Sequence, residues 1–154
     1  MSLEQDIALF KRVPLFSGLS AEPLRLIAFS AVRLDLAEGH TLFRADTKAL
    51  SGFVVQEGRI ELTDPGKRPG AGSLGSFGPG TLLGEAALFV ETQRPATATA
   101  TAPSKVIEID RNLMKRMLAE YPDVAAKLYA ALRGRLAGTV GELARVGERL
   151  GQAG

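Results

Sequence analysis

Two charged residues stand in a stretch that is otherwise small and apolar. In GEAALFVETQRPATATATA, residues 84–102, Glu85 follows a glycine at the head of a short apolar run, and Arg94 comes nine residues later. An ionised carboxylate only accepts hydrogen bonds, which suits a sugar hydroxyl. A guanidinium offers a planar fork of donors, which suits a phosphate. A helix opening at Gly84-Glu85 would add unsatisfied N–H groups and the positive end of its dipole. Phosphate, sugar hydroxyl and apolar surroundings together describe a cyclic nucleotide. The same two residues could instead form an internal ion pair tying a loop to a strand, and spacing alone leaves both readings open.

The rest of the chain offers little competing chemistry. His40 is the only histidine and there is no cysteine. A metal enzyme on a jelly roll needs several histidines and a carboxylate around one ion, so no metal is expected. No nucleophile–base–orienter set is visible, and the expectation is a protein that is not an enzyme, with no catalytic residues and no cofactor beyond a bound nucleotide. Glu57 and Glu61 read as exposed strand charges.

The chain has 154 residues and a net charge of +2, enough for one domain with a real core. No apolar run reaches the ~18 residues of a membrane span, and the polar start MSLEQD is unlike a secretory signal. The absence of cysteine suits a cytoplasmic location. Nine basic side chains face six acidic ones after residue 104. That excess fits a solvated helix face and is too weak for a nucleic-acid footprint, so neither membrane nor nucleic acid is expected as a partner.

The elements that must position Glu85 and Arg94 follow from hydrophobic period. Residues 4–12 and 20–30 have helical spacing, with Ser20 as a candidate N-cap and VPLFSGLS turning between them. From residue 31 the period drops to two. AVRLDLAEG, TLFRAD, GFVVQEG, RIELTD, SLGSFGPG, ATATATA and KVIEID alternate, separated by turns such as Glu57-Gly58 and Asp64-Pro65-Gly66. Regularly punctuated short strands indicate an antiparallel sandwich or barrel. GKRPGAGSLG reads as a flexible hairpin tip. From Arg111 the period returns to 3.6, giving one helix ended by Pro122 and a long second helix that Asp123 could cap. Gly134, Gly138, Gly141 and Gly147 weaken that helix by up to ~1 kcal/mol each. Leu136, Val140, Leu143 and Leu150 form a possible seam for a homodimer. Phe16, Leu19, Leu24, Phe43, Phe53, Phe77, Leu88 and Phe89 are expected in the core or between helices and barrel.

The order of these motifs resembles the cyclic-nucleotide-binding domain family, shared by a bacterial catabolite activator, kinase regulatory subunits and gated channels. The resemblance runs from about Phe16 to Leu143. The family's phosphate-binding cassette is matched by Gly84-Glu85-Ala86-Ala87-Leu88, the spacer FVETQ, then Arg94-Pro95-Ala96-Thr97. EGHTLFR, GFVVQEGRIEL and FGPGTLLGE fall where the family's strands and turns fall, and SKVIEIDRNLMKRMLAEYPDVAAKL where its last strand and next helices do. The resemblance implies mainly β structure with flanking helices: an N-terminal helical segment (1–30), an eight-stranded antiparallel jelly-roll barrel (31–110) and a C-terminal helical lid (111–150). It implies that Glu85 holds the ribose 2′-hydroxyl and Arg94 the cyclic phosphate. Amides around Ala86, Ala87 and Ala96 would line the site, and Thr139 would contact the base. The implied function is sensing of a cyclic nucleotide, cyclic AMP ahead of cyclic GMP, passed through the C-terminal helix to a downstream protein.

The chain departs from the family pattern in three places. Pro95 lacks the N–H and hydroxyl usual after the arginine, Gln93 replaces a proline before it, and Ala45-Asp46-Thr47 replaces a turn near Glu-Gly-Asp. A lost hydrogen bond to a charged group is worth ~1.5–3 kcal/mol, or tenfold and more in affinity. The alternatives are a fold of this type that acts through protein contacts without ligand, and the sensor part of a transcription regulator.

Overall fold

Helices bracket the β structure in a computed structural model that describes residues 2–66 and 72–138. Helix α1 (Leu3–Lys11) opens with a capping box: Ser2 Oγ accepts from the Gln5 amide at 3.2 Å, and Gln5 Oε1 accepts from the Ser2 amide at 2.9 Å. The pair satisfies donors that a helix start otherwise leaves orphaned. Helix α2 (Ala21–Ser30) begins after Ser20, which occupies the N-cap position but makes no side-chain capping bond.

The β region contains ten strands among the described residues: β1 (Val32–Leu36), β2 (Thr41–Phe43), β3 (Lys48–Ala49), β4 (Ser51–Glu57), β5 (Ile60–Thr63), β6 (Ser73–Phe77), β7 (Leu82–Leu83), β8 (Thr92–Gln93), β9 (Thr97–Ala100) and β10 (Ser104–Asp110). Two four-stranded antiparallel sheets run in the orders β1-β10-β4-β7 and β2-β9-β5-β6, with β3 and β8 as a separate ribbon. Each sheet joins strands distant in the chain, as in a jelly roll. The ribbon departs from the expected eight strands. Its strands, like β7, are two residues long, and a two-residue segment has no period for a sequence pattern to reveal. The residues of the GKRPGAGSLG tip from 67 to 71 lie outside the described residues.

Helix α3 (Arg111–Glu120) is capped by Asp110, whose Oδ1 accepts from the Leu113 amide at 2.7 Å. It stops before Tyr121, the residue that Pro122 pushes out of the helical region (φ −127°, ψ 76°). Helix α4 (Pro122–Gly138) starts on the proline itself, whose fixed φ suits a first position. Asp123 therefore sits inside the first turn and is not the cap. Thr139, Val140, Gly141, Leu143, Gly147 and Leu150 lie outside the described residues, as does the Leu136 side chain.

Two apolar layers share the β4–β10 pair. Along β10, Val106 points inward to Phe53, Val55, Ile60, Ala98 and Ala100, while Ile107 and Ile109 point outward to the helices. The ATATATA run obeys the same period: Ala98 and Ala100 are fully buried, Thr97 and Thr99 only half-buried. On the outer face Phe10, Ile27, Met114, Met117 and Leu128 cover Val54, Ile107 and Ile109. Of the expected core, Phe16, Leu19, Leu24, Phe53 and Leu88 are buried, and Phe43, Phe77 and Phe89 pack half-buried on the clusters. Asp6 of α1 is fully buried, and both its oxygens accept from Arg33 of β1. The two-pronged bond offsets the cost of burying the charge and locks α1 to the sheet edge.

Candidate functional site

Arg94 follows the short β8 strand, and its backbone is held on both sides by the turn before β3. The Arg94 amide donates to the Thr47 carbonyl at 2.8 Å, and the Asp46 amide donates to the Arg94 carbonyl at 2.8 Å. Asp46 has φ 65°, a left-handed conformation that a short polar residue tolerates. This turn is the Ala45-Asp46-Thr47 segment that departs from the family pattern in sequence.

With its backbone fixed, the Arg94 side chain turns inward. The residue is 5% exposed, and its guanidinium carbon lies 4.4 Å from the Phe43 ring centre and 5.4 Å from that of Phe53. The two rings stack at 5.8 Å. Nη1 is buried and has no hydrogen-bond partner among the described residues. Such a cation is costly to bury, and the ring faces offset only part of that cost. Burial lowers the Arg94 pKa from its usual value, and the charge of Glu108 opposes that shift. Arg94 belongs to none of the ion pairs formed among the described residues.

Arg94 opens onto a cleft of about 530 Å³ whose walls include Phe43, Ala49, Leu62 and the segments 84–87 and 92–96. Gly84 has φ 78°, and a Cβ there would collide with Arg94 Nη1 and lie 3.3 Å from the Ser51 carbonyl. Only glycine satisfies both conditions. Glu85 follows, half-buried in the cleft wall. The helix expected at this point is a single 3-10 turn, Glu85–Leu88. Its Ala87 amide donates to the Gly84 carbonyl at 3.1 Å within the turn, and the residue lines the cleft. Ala86 and Pro95 are exposed in the cleft wall and Ala96 is buried in it. Thr97 does not line the cleft: its hydroxyl accepts from the Ala45 amide at 3.0 Å and braces the same turn that holds Arg94. Thr139 lies outside the described residues. No described residue of α3 or α4 borders the cleft, and the buried α4 side chains Val124 and Leu128 join the helical cluster instead.

Sequence reasoning missed two supports. Arg111 opens α3, and its Nε donates to the Ala87 carbonyl at 2.8 Å while Nη2 donates to the Ala49 carbonyl at 2.7 Å. Its amide donates to the Leu50 carbonyl at 3.0 Å. One side chain thus clamps the 3-10 turn and the end of β3 onto the start of a helix. The available signal was a cation in a first helical turn, where the dipole disfavours it and some other partner must compensate. The second is Glu108, whose Oε2 accepts from the Ser51 hydroxyl at 2.7 Å. Its signal was a charge set between Ile107 and Ile109 on the same period as Val106.

Among the described residues no group of three or more His, Cys, Asp or Glu could hold a metal, and no helix is long and apolar enough to cross a membrane. The family model of the cyclic nucleotide-binding domain matches residues 33–121. The fold superposes on the N-terminal domain of a transcriptional regulator from Streptomyces coelicolor with a TM-score of 0.78 and 33% identity, over 85% of this chain and 94% of that one. A cyclic nucleotide-binding-like protein from Brucella abortus is 37% identical with a TM-score of 0.68, over 75% of this chain and 98% of that one. Among sequences, a CRP-like cAMP-activated global transcriptional regulator of Mycobacterium tuberculosis is 24% identical over 86% of this chain. The chain spans 59% of that protein and 30% or less of other relatives it matches. The matched segment covers more than half of the chain and contains the whole Gly84–Thr97 cassette, and the chain belongs to the cyclic nucleotide-binding domain family.

Proposed function

We propose that this chain is a sensor that binds cyclic AMP in the cleft above Arg94 and reports its occupancy to a larger regulatory protein or partner. The single observation that carries the reading is the buried, donor-unsatisfied Nη1 of Arg94 in the wall of an otherwise mostly apolar cleft. The cyclic phosphate would supply its counter-charge, and Glu85 would accept from the ribose 2′-hydroxyl. Pro95 has no hydroxyl to favour cyclic GMP, and the cAMP-activated relative in M. tuberculosis supports the same choice. The likeness to the N-terminal domain of a transcriptional regulator supports a sensor role within a longer assembly. Residues 134–150 would close over the base and pair two copies, transmitting occupancy, because their glycines make this stretch inexpensive to reorder.

Calorimetry with cyclic AMP, cyclic GMP and linear AMP tests the reading. Cyclic AMP should bind tightest, and Arg94→Ala should lose about 2–5 kcal/mol of binding while remaining folded. Amide exchange in 134–150 should slow on saturation. A folded wild type that binds none of the three refutes the sensor reading. Pro95 is the observation that favours the alternative, a fold of this family acting through protein contacts alone.

A further inference from the structure

Arg94 raises a question that the bound-state reading does not answer: what keeps a buried cation in its seat before a phosphate arrives. The rings of Phe43 and Phe53 carry only part of the load. The floor beneath them holds one more charge. In the β4–β10 register Glu108 stands opposite Phe53, so both side chains rise from the inward face. Ser51, two residues before Phe53 on that face, is 3% exposed and donates its hydroxyl to Glu108 Oε2 at 2.7 Å. The Ser51 carbonyl and Arg94 Nη1 both border the point where a Gly84 Cβ would stand. Ser51, Phe53 and Glu108 therefore share the inward face of the β4–β10 pair, and Arg94 lies over that face at the Phe53 ring and beside the Ser51 carbonyl under Gly84.

We propose that Glu108, aimed by Ser51, is a positioning residue for the anion site: its carboxylate holds Arg94 charged and buried from one layer away, leaves the guanidinium donors for the ligand, and lowers affinity for that ligand. This rests on the cleft taking an anionic nucleotide. A carboxylate in direct contact would occupy the fork and have to be displaced. One layer away it acts through its field, which falls with distance but needs no donor. The resistance that Glu108 offers to the lowered Arg94 pKa points the same way. Once a phosphate is bound, the same field repels it.

The test is Glu108→Gln, which keeps an acceptor for Ser51 and removes the charge. Cyclic AMP should bind this variant about 3- to 30-fold tighter, the range for a unit charge several ångströms away at an intermediate effective dielectric. Equal or weaker binding by the folded variant overturns the affinity role. A stability cycle with Arg94→Met needs no ligand. Glu108→Gln should lower the folding constant at least about threefold more with Arg94 present than in Arg94→Met, where the unpaired carboxylate has lost its purpose. Additive effects overturn the counter-charge role, since a bond to Ser51 alone would cost the same in both backgrounds. A Glu108→Gln chain that folds only when Arg94 is also replaced is the coupling in its strongest form. If the wild type binds no nucleotide, the sensor reading fails while the cycle still decides the part played by Glu108.

Discussion

Replacing Gly84 with alanine tests the geometry of the cassette most directly. Gly84 has φ 78°, and an L-residue held there costs about 1–2 kcal/mol. The added methyl would also stand in the place of Arg94 Nη1 and within 3.3 Å of the Ser51 carbonyl. Ser51 belongs to the central strand β4 and cannot retreat, so the guanidinium must move off the Phe43 and Phe53 rings. Overpacking of this kind costs about 1–3 kcal/mol. The two effects sum to about 2–5 kcal/mol, below or near the stability of an ordinary domain, so the variant should fold. Urea unfolding measures the loss, and the same substitution in an Arg94→Ala background separates its parts. There the collision is gone and only the conformational cost of about 1–2 kcal/mol should remain. A loss below about 1 kcal/mol, or an equal loss in both backgrounds, would refute the claim that Gly84 exists to admit Arg94.

Arg33→Met should destabilise the fold by about 3–5 kcal/mol in the same assay, because it strands the fully buried Asp6 carboxylate, and adding Asp6→Asn should recover much of the loss. Arg111→Met removes charged hydrogen bonds to the Ala87 and Ala49 carbonyls, so it should cost about 2–5 kcal/mol and speed amide exchange across residues 84–90; unchanged exchange there would mean the clamp is idle. Pro95→Ser restores a donor at the cleft wall and should tighten nucleotide binding up to about 100-fold by calorimetry. Unchanged affinity would mean that the turn around Asp46 has already compensated for the missing N–H.

The sequence alone determined the alternating strands and the cassette. Period two in ATATATA and KVIEID assigns an inward and an outward row, because successive side chains on a strand must point to opposite faces. The spacing from Glu85 to Arg94 left an anion site and an internal ion pair both open, and the order of the motifs around the cassette was what favoured the anion site. Tertiary structure decided everything that depends on partners distant in the chain. The ribbon of β3 and β8 exists because the Thr47 carbonyl and Asp46 amide meet Arg94, and neither two-residue strand has a local pattern. Thr97 faces the Ala45 amide and not the cleft, because hydrogen bonds are assigned by proximity after folding. Arg111 and Glu108 showed only as charges out of place. Their partners lie 24 and 57 residues away, at Ala87 and Ser51, and period carries no record of a contact across that distance.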